Sequence, residues 1–286
     1  MLRRFRLEEP ETVPEASELL ARYGDSARVY AGGTELLLVM KEGLAHYERL
    51  VNIKKIPNLD TVKQDNGVIS IGALATHRSL STDALLEERL PVFAAMEKHV
   101  ANIRVREVGT IGGNLCFAEP HADPGTLLLV LGAKLILAKA SGRREIPIEG
   151  FFVGPYETVL EDDELLTEIR VPLLPAHSAA AYLKFGYLER PSVGVAVSLS
   201  LDGASVRDVR VAVGCAGPTP RRIEAAEEAL RGKSVEDASE SIGKAGAIAG
   251  RESDAITDLH GSKDYKEHIV GVLLKRAFTQ VVEQCR

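Results

Sequence analysis

The sequence predicts an α+β protein in two parts, and three observations carry that reading. Over roughly the first fifty-five residues, apolar spacing alternates as helix, strand, glycine loop, helix, strand. From about residue 178, three strand patterns follow one another and then give way to helical ones, the order of an α+β unit with its own sheet. Between them, "PLLPAHSA" places two prolines near residue 175 and is the best linker. The boundaries read this way are 1–175, subdivided at about 1–55 and 56–175, and 176–286. A chain of 286 residues has room for about two domains of ordinary size.

The first helix is marked at both ends. In "TVPEASELLARYG", Thr12 and Glu15 have the spacing of a capping box, Pro14 falls in the first turn and Gly24 is placed to end the helix. Ala16, Leu19, Leu20 and Tyr23 recur at i, i+3, i+4 and i+7, one buried stripe. "ARVYA" is a short strand running into Gly32-Gly33, "TELLLVMKEG" a helical turn or two, and "RLVNIKKI" a buried strand through Leu50, Val51 and Ile53. "GVISIGALATHRSL" is a strand ending at a turn, with Thr76 capping a helix to about residue 88; "PVFAAMEKHVAN" is the next helix. The polar "IRVREVG" is a positioning loop before a second glycine pair. "AKLILAKASGRREIPI" is a hairpin turning at Ser141-Gly142, acidic "EDDELL" a turn between strands, and "ELLTEIRVPL" a strand. Beyond the linker, "AAYLKFGYL", "VGVAVSLSLDG" and "VRDVRVAVGCAG" are strands in hairpin succession, with Asp202-Gly203 at one turn. Helices follow in "PRRIEAAEEALRG", "SVEDASESIGKAGAIA" and "DYKEHIVGVLLKRAFTQVVEQC".

Composition narrows the function. Hydrophobic content of 45% supports a real core, and a net charge of −6 argues against nucleic acid or an anionic membrane as the main partner. The longest apolar run, "TLLLVLGAKLILA", is broken by Gly132 and Lys134, short of a membrane span. The N-terminal "MLRRFRLEEPETVPEA" lacks the apolar region of a signal peptide, so the expected compartment is the cytoplasm. Cys116, Cys215 and Cys285 stand far apart with no CxxC or Cys/His spacing, which argues against a zinc site, an iron–sulfur cluster or a disulfide framework within this chain.

Two stretches carry the chemistry, "VYAGGTELLL" and "TIGGNLCFAEPHADP". Neither is a P-loop, and the dinucleotide GxGxxG pattern is absent. Gly32, Gly33 and Thr34 present consecutive backbone N–H groups and a hydroxyl; Thr110, Gly112, Gly113 and Asn114 offer the same dressing. Such donor arrays suit a diphosphate, each charge-assisted bond contributing ~1.5–3 kcal/mol.

With "IGALATHRSL" and "GVAVSLSLDG", these paired motifs resemble the flavin subunit of the molybdenum hydroxylases, over essentially the whole chain. That family comprises the medium, FAD-binding chain of aerobic carbon monoxide dehydrogenase and its relatives, homologous to the middle domain of xanthine dehydrogenase. The resemblance implies a two-subdomain FAD-binding fold of the vanillyl-alcohol oxidase type, plus a C-terminal α+β domain with a small antiparallel sheet and helices. It also implies non-covalent FAD with its diphosphate between the glycine stretches. Carried over by position, Val29, Tyr30, Ala31, Gly32, Gly33, Thr34, Glu35 and Leu36 form the first contact segment, and Thr110, Ile111, Gly112, Gly113 and Asn114 the second. Asp123 matches an acidic residue near the ribityl and adenosine side, and Leu166 and Lys184 match further contacts at looser spacing. No residue receives a catalytic or metal-ligating role. Two departures stand out. Glu35 replaces the usual Asp or Ser, and "FGYLERPSVGVAV" carries Glu189 and Arg190 in place of an aspartate–aromatic pair. The residue stacking on the isoalloxazine therefore stays open, Tyr187 being only a neighbour by sequence.

By the same resemblance, substrate is oxidised at a molybdopterin centre in a large partner subunit. Two [2Fe–2S] clusters in a small partner subunit pass electrons to FAD in this chain and on to an external acceptor, in a dimer of heterotrimers. Plainer readings stand beside the site. Asp123, ahead of Pro124, suits a helix N-cap. Lys184 suits a solvated strand face, Cys116 a small buried residue, and His121 an exposed polar position or a flavin edge. Two rival functions are a self-sufficient flavin oxidoreductase of the same superfold, which needs its own substrate pocket, and a non-catalytic nucleotide-binding module.

Overall fold

The structure, a computed structural model, describes residues 2–186 and 190–285. It begins with a strand that the apolar pattern does not mark, β1 (Arg6–Glu8), exposed and held by an ion pair between Glu8 and Arg49. α1 (Val13–Tyr23) is capped as read: Thr12 Oγ1 accepts from the Glu15 N–H at 3.2 Å. The Glu15 carboxylate accepts from the Glu11 N–H, so the box closes one residue early. Ala16 and Leu20 pack on Ala27, Val51 and Ile53 in one small core. β2 (Ala27–Tyr30), α2 (Leu36–Lys41) and β3 (Arg49–Asn52) follow, and β3 lies between β1 and β2, parallel to both.

The next unit is a five-stranded antiparallel sheet interrupted by helices. β4 (Val62–Asp65) and β5 (Val68–Gly72) form a hairpin, then come α3 (His77–Leu80), α4 (Ala84–Arg89), α5 (Pro91–Glu97), α6 (Ile103–Val108), α7 (Ile111–Phe117) and α8 (Pro124–Leu131). β6 (Lys134–Lys139), β7 (Gly142–Pro147), the small pair β8 (Phe152–Gly154) and β9 (Glu157–Thr158), and β10 (Leu165–Pro172) complete it, in sheet order β4-β5-β10-β6-β7. Three expectations need correction. The helix read from Thr76 to about residue 88 is broken, because Asp83 Oδ1 accepts from the Leu86 N–H at 3.0 Å and starts a new helix. "IRVREVG" is no loop but α6, capped by Asn102 Oδ1 through the Arg104 and Val105 N–H groups. "TIGGN" is likewise no loop: Thr110 Oγ1 accepts from the Gly113 N–H at 3.1 Å, and both glycines lie in the first turn of α7.

Gly112 is needed there for packing. A Cβ at this position would lie 2.6 Å from Ala73 Cβ and 2.7 Å from the Ala73 carbonyl oxygen, just past β5. Gly112→Val is therefore expected to destabilise the cofactor-free protein by about 2 kcal/mol, as overpacking does. Chemical denaturation without flavin measures this; unchanged stability would return Gly112 to the role of clearing space for a ligand.

The last unit contains β11 (Ser178–Phe185), β12 (Val193–Asp202), β13 (Ser205–Gly214), β14 (Arg221–Arg222), α9 (Glu224–Glu228), α10 (Val235–Glu252) and α11 (Lys263–Cys285). The strands pair antiparallel in sequence order. β12 is buried from Val193 to Leu201 because α11 covers one face and the wholly buried α8 the other. Ala180, Ala196 and Ala212 of this sheet join the same core as Ile69, Ile71 and Ile169. The connection from β10 to β11 falls in the proline-bearing segment read as a linker. Tyr187 and Glu189 lie outside the described residues. Among those described, no helix is long and apolar enough to cross a membrane.

Candidate functional site

A cleft of about 770 Å³ separates the small parallel sheet and α2 from α6, α7 and the end of β10. Its size falls within the range of small-molecule sites. The two glycine segments meet along it. A Cβ at Gly32 would lie 2.2 Å from the Val108 carbonyl oxygen and 2.8 Å from Gly109 Cα, so the missing side chain lets one segment rest on the other. Gly33 has φ +76°, a conformation that side chains strain to adopt. After it, the Leu37 N–H returns to the Gly33 carbonyl at 3.0 Å and opens α2. The N–H groups of Gly32, Gly33, Thr34 and Glu35 donate to no other described residue. They form an unused donor run at a helix start, favourable for an anion.

The second segment differs from expectation. Ile111 N–H donates to the Ala75 carbonyl, Gly112 N–H to that of Ala73, Gly113 N–H to Thr110 Oγ1 and Asn114 N–H to the Thr110 carbonyl. Its backbone donors are consumed by α7 and by the strand end beside it, so it is not a second donor array. It offers instead a close wall and the Asn114 side chain, whose buried Oδ1 has no partner among the described residues. A buried amide oxygen without a partner, on a residue that lines a polar cleft, asks for a donor.

Asp123, 3% exposed, lines the same cleft. It precedes α8 but makes no side-chain cap, which removes the N-cap reading. Its Oδ1 accepts from the Tyr182 hydroxyl at 2.6 Å and its Oδ2 from Lys184 Nζ at 2.9 Å, and Lys184 also donates to the His99 carbonyl at 2.7 Å. Lys184 is thus not a solvated residue; it stands behind Asp123, outside the cleft wall. Burial pushes the Asp123 carboxyl up, opposed by the Lys184 charge and the Tyr182 hydrogen bond. The Tyr182 hydroxyl is pushed well up by burial and the adjacent carboxylate, so it stays a proton donor.

Of the other sequence-derived positions, Val29, Ala31, Leu36 and Leu166 line the cleft. Tyr30 and Ile111 do not: Lys54 Nζ sits 4.2 Å from the Tyr30 ring centre, and Ile111 is wholly buried in the central core. Cys116 also lines the cleft, and burial pushes its thiol up to about 12 against the opposing Arg28 charge, which makes it a neutral wall. His121 is not exposed; its ring nitrogens lie 3.0 Å from Glu119 Oε1 and 3.2 Å from Asp258 Oδ2.

Some lining residues escaped sequence reasoning. Arg190 reaches Glu35 at 3.6 Å and Glu119 at 3.8 Å across the mouth, giving Glu35 a partner. Tyr156, at φ +61° between β8 and β9, sets its ring edge-on to Phe117 with centroids 5.3 Å apart. A tyrosine in the left-handed region is a costly placement that concentrates at functional sites. The "GPYE" turn in the sequence was the available signal.

Known proteins share this sequence pattern and this fold. Residues 3–174 match the model of the FAD binding domain in molybdopterin dehydrogenase, and residues 189–281 that of the CO dehydrogenase flavoprotein C-terminal domain. The carbon monoxide dehydrogenase medium chain of Hydrogenophaga pseudoflava is 34% identical over 99% of this chain and 98% of its own. The nicotine 6-hydroxylase medium subunit of Paenarthrobacter nicotinovorans is 30% identical over 96% of each. A solved structure of Hydrogenophaga pseudoflava carbon monoxide dehydrogenase, lacking the Mo-pyranopterin moiety of its cofactor, superposes with a TM-score of 0.96 at 35% identity over 100% of both chains. Two family models that together span most of the sequence and full-length relatives lead to one conclusion: the chain belongs to the FAD-binding medium subunits of the carbon monoxide dehydrogenase and xanthine dehydrogenase family.

Proposed function

We propose that this chain is the electron-transfer subunit of a heterotrimeric molybdenum-containing hydroxylase, working in the cytoplasm as part of a dimer of heterotrimers. In this reading a small subunit with [2Fe–2S] clusters delivers electrons and a large subunit holds the molybdenum centre. Support comes from relatives named as medium chains or subunits, and from the absence of cysteine-cluster spacing in the sequence itself. Unpaired Cys116, Cys215 and Cys285 suit a reducing compartment. The observation that carries the cofactor assignment is the unused N–H run from Gly32 to Glu35 in a cleft also lined by Asn114, whose buried Oδ1 is unpartnered among the described residues.

When bound, FAD supplies the exchange of single electrons against pairs, and the protein supplies binding and orientation. The Gly32–Glu35 N–H groups would hold the diphosphate, and Asn114 Oδ1 would accept from a cofactor hydroxyl or amide. Asp123, fixed by Tyr182 and Lys184, keeps its remaining acceptor capacity toward the cleft, while Val29, Ala31, Leu36, Cys116 and Leu166 exclude water. The proposed units are 1–175, holding the cofactor in subdomains of about 1–55 and 56–175, and 176–286, which contributes Lys184 and Arg190.

Chain purified alone is expected to carry flavin, visible in its absorption spectrum, since the donor run and Asp123 lie in one polypeptide. A colourless chain that takes up no added FAD would defeat the assignment. Asp123→Ala is expected to weaken FAD binding by roughly 1–2 kcal/mol, and to lower the melting temperature of the cofactor-free protein because Tyr182 and Lys184 lose their acceptor. Titration calorimetry and thermal denaturation read the two effects; an unaltered dissociation constant would remove Asp123 from the site.

A further inference from the structure

His77 opens α3 directly after Thr76, within "IGALATHRSL", and lines the cleft, yet it has no role in the function above. Its ring is 2% exposed, and Nδ1 lies 2.6 Å from Glu97 Oε2 on α5. Glu97 is fully buried, with Oε1 lacking a partner among the described residues. An ionised carboxylate accepts only, so this contact ties a proton to Nδ1 or between the two atoms. Nε2, across the ring, bonds to no described residue.

The ring's position is fixed by the glycines. The His77 N–H donates to the Gly109 carbonyl at 3.0 Å, and a Cβ at Gly109 would lie 3.4 Å from imidazole Cδ2. Gly109 is also the residue on which Gly32 rests. Imidazole, Gly109 and Gly32 thus follow one another along the wall of the cleft that the donor run also lines. Among charged groups on the helices packed against α3, Arg78 pairs with Glu107, Lys98 with Glu87, and Arg106 donates to the Val100 and Ala101 carbonyls. A buried carboxylate is costly unless it is matched by a positive partner. The 2.6 Å contact holds Nδ1 on Glu97 and leaves Nε2 as the ring nitrogen free for a ligand.

We propose that His77, backed by Glu97, is a further cofactor ligand that donates from Nε2–H to a diphosphate oxygen of FAD. This rests on the cleft being the FAD site. Glu97 orients the ring, and the pair adds a side-chain donor to the four backbone donors.

Two near-isosteric variants separate the nitrogens. His77→Asn retains a group near Nδ1 that can bond Glu97 but removes the cleft donor; His77→Gln retains a donor near Nε2 and loses the bond to Glu97. Titration of apoprotein with FAD and phosphorus-31 spectra of the bound cofactor are the readouts. The expected result is about tenfold weaker FAD binding with displaced phosphorus resonances for His77→Asn, and near wild-type behaviour for His77→Gln. Wild-type affinity in His77→Asn, or equal weakening in both variants, would overturn the proposal while leaving the FAD site standing. A wild-type chain that binds no FAD would overturn both.

Discussion

Gly32→Ala is expected to lower FAD affinity at least a hundredfold. The residue has no positive φ to lose, so the effect is steric: its Cβ would sit 2.2 Å from the Val108 carbonyl oxygen, a backbone atom that cannot rotate away. The two segments must then separate, and the donor run from Gly32 to Glu35 shifts relative to Asn114 and His77. Losing the alignment of only two charge-assisted bonds, at ~1.5 kcal/mol each, gives about 3 kcal/mol, or roughly a hundredfold. Gly43→Ala is a suitable contrast, since a Cβ there meets nothing within 4 Å and the cost is confined to backbone strain at φ +76°. Equal FAD affinity for Gly32→Ala and wild type would show that the contact of the segments does not shape the site.

Arg222→Ala is expected to cost about 3 kcal/mol of folding stability, the low end of the range for stranding a buried charge. Glu227 is 1% exposed, and its carboxylate accepts from the Val211 N–H at 3.0 Å and from Arg222 Nε and Nη2 at 3.0 and 2.6 Å. Arg231 is a weaker third partner at 3.4 Å. Removing Arg222 leaves a carboxylate that water cannot reach and that β13 and α9 enclose. Adding Glu227→Gln should recover part of the loss, because a neutral amide tolerates the site better. Urea denaturation measures both; a loss under about 1 kcal/mol in Arg222→Ala would mean the pair behaves as a surface bridge.

Local signals were legible wherever the chain itself enforces them. The Thr12 cap, the Ser141-Gly142 turn and the hairpin succession of β11 to β13 follow from neighbours in sequence. β1 was hidden because "RLE" has no apolar pattern and exists through pairing with β3. α6 and α7 were misread because arginines and glycines masked caps of standard type, Asn102 and Thr110. The same masking made the second glycine pair look like a donor array, when its N–H groups close a helix against the Ala73 and Ala75 carbonyls. Asp123 and Lys184 were each marked by resemblance, but their bond, and Tyr182 between them, arises only when β11 folds across α8. Only the exposed reading of His121 failed, for a related reason: the residue lines the cleft, and Asp258, 137 residues away, supplies half of its surroundings. Long-range pairing of polar groups leaves no period in a sequence.

Electron transfer without substrate oxidation is the centre of this account, and dye reduction tests it most directly. The isolated, FAD-loaded chain is given an aldehyde or a purine with an artificial electron acceptor, alone and then with the small and large subunits of its native complex. The account predicts no substrate-dependent reduction by the chain alone and turnover once the partners are restored. Robust turnover by the chain alone would contradict it, showing a complete enzyme whose substrate site lies within these 286 residues.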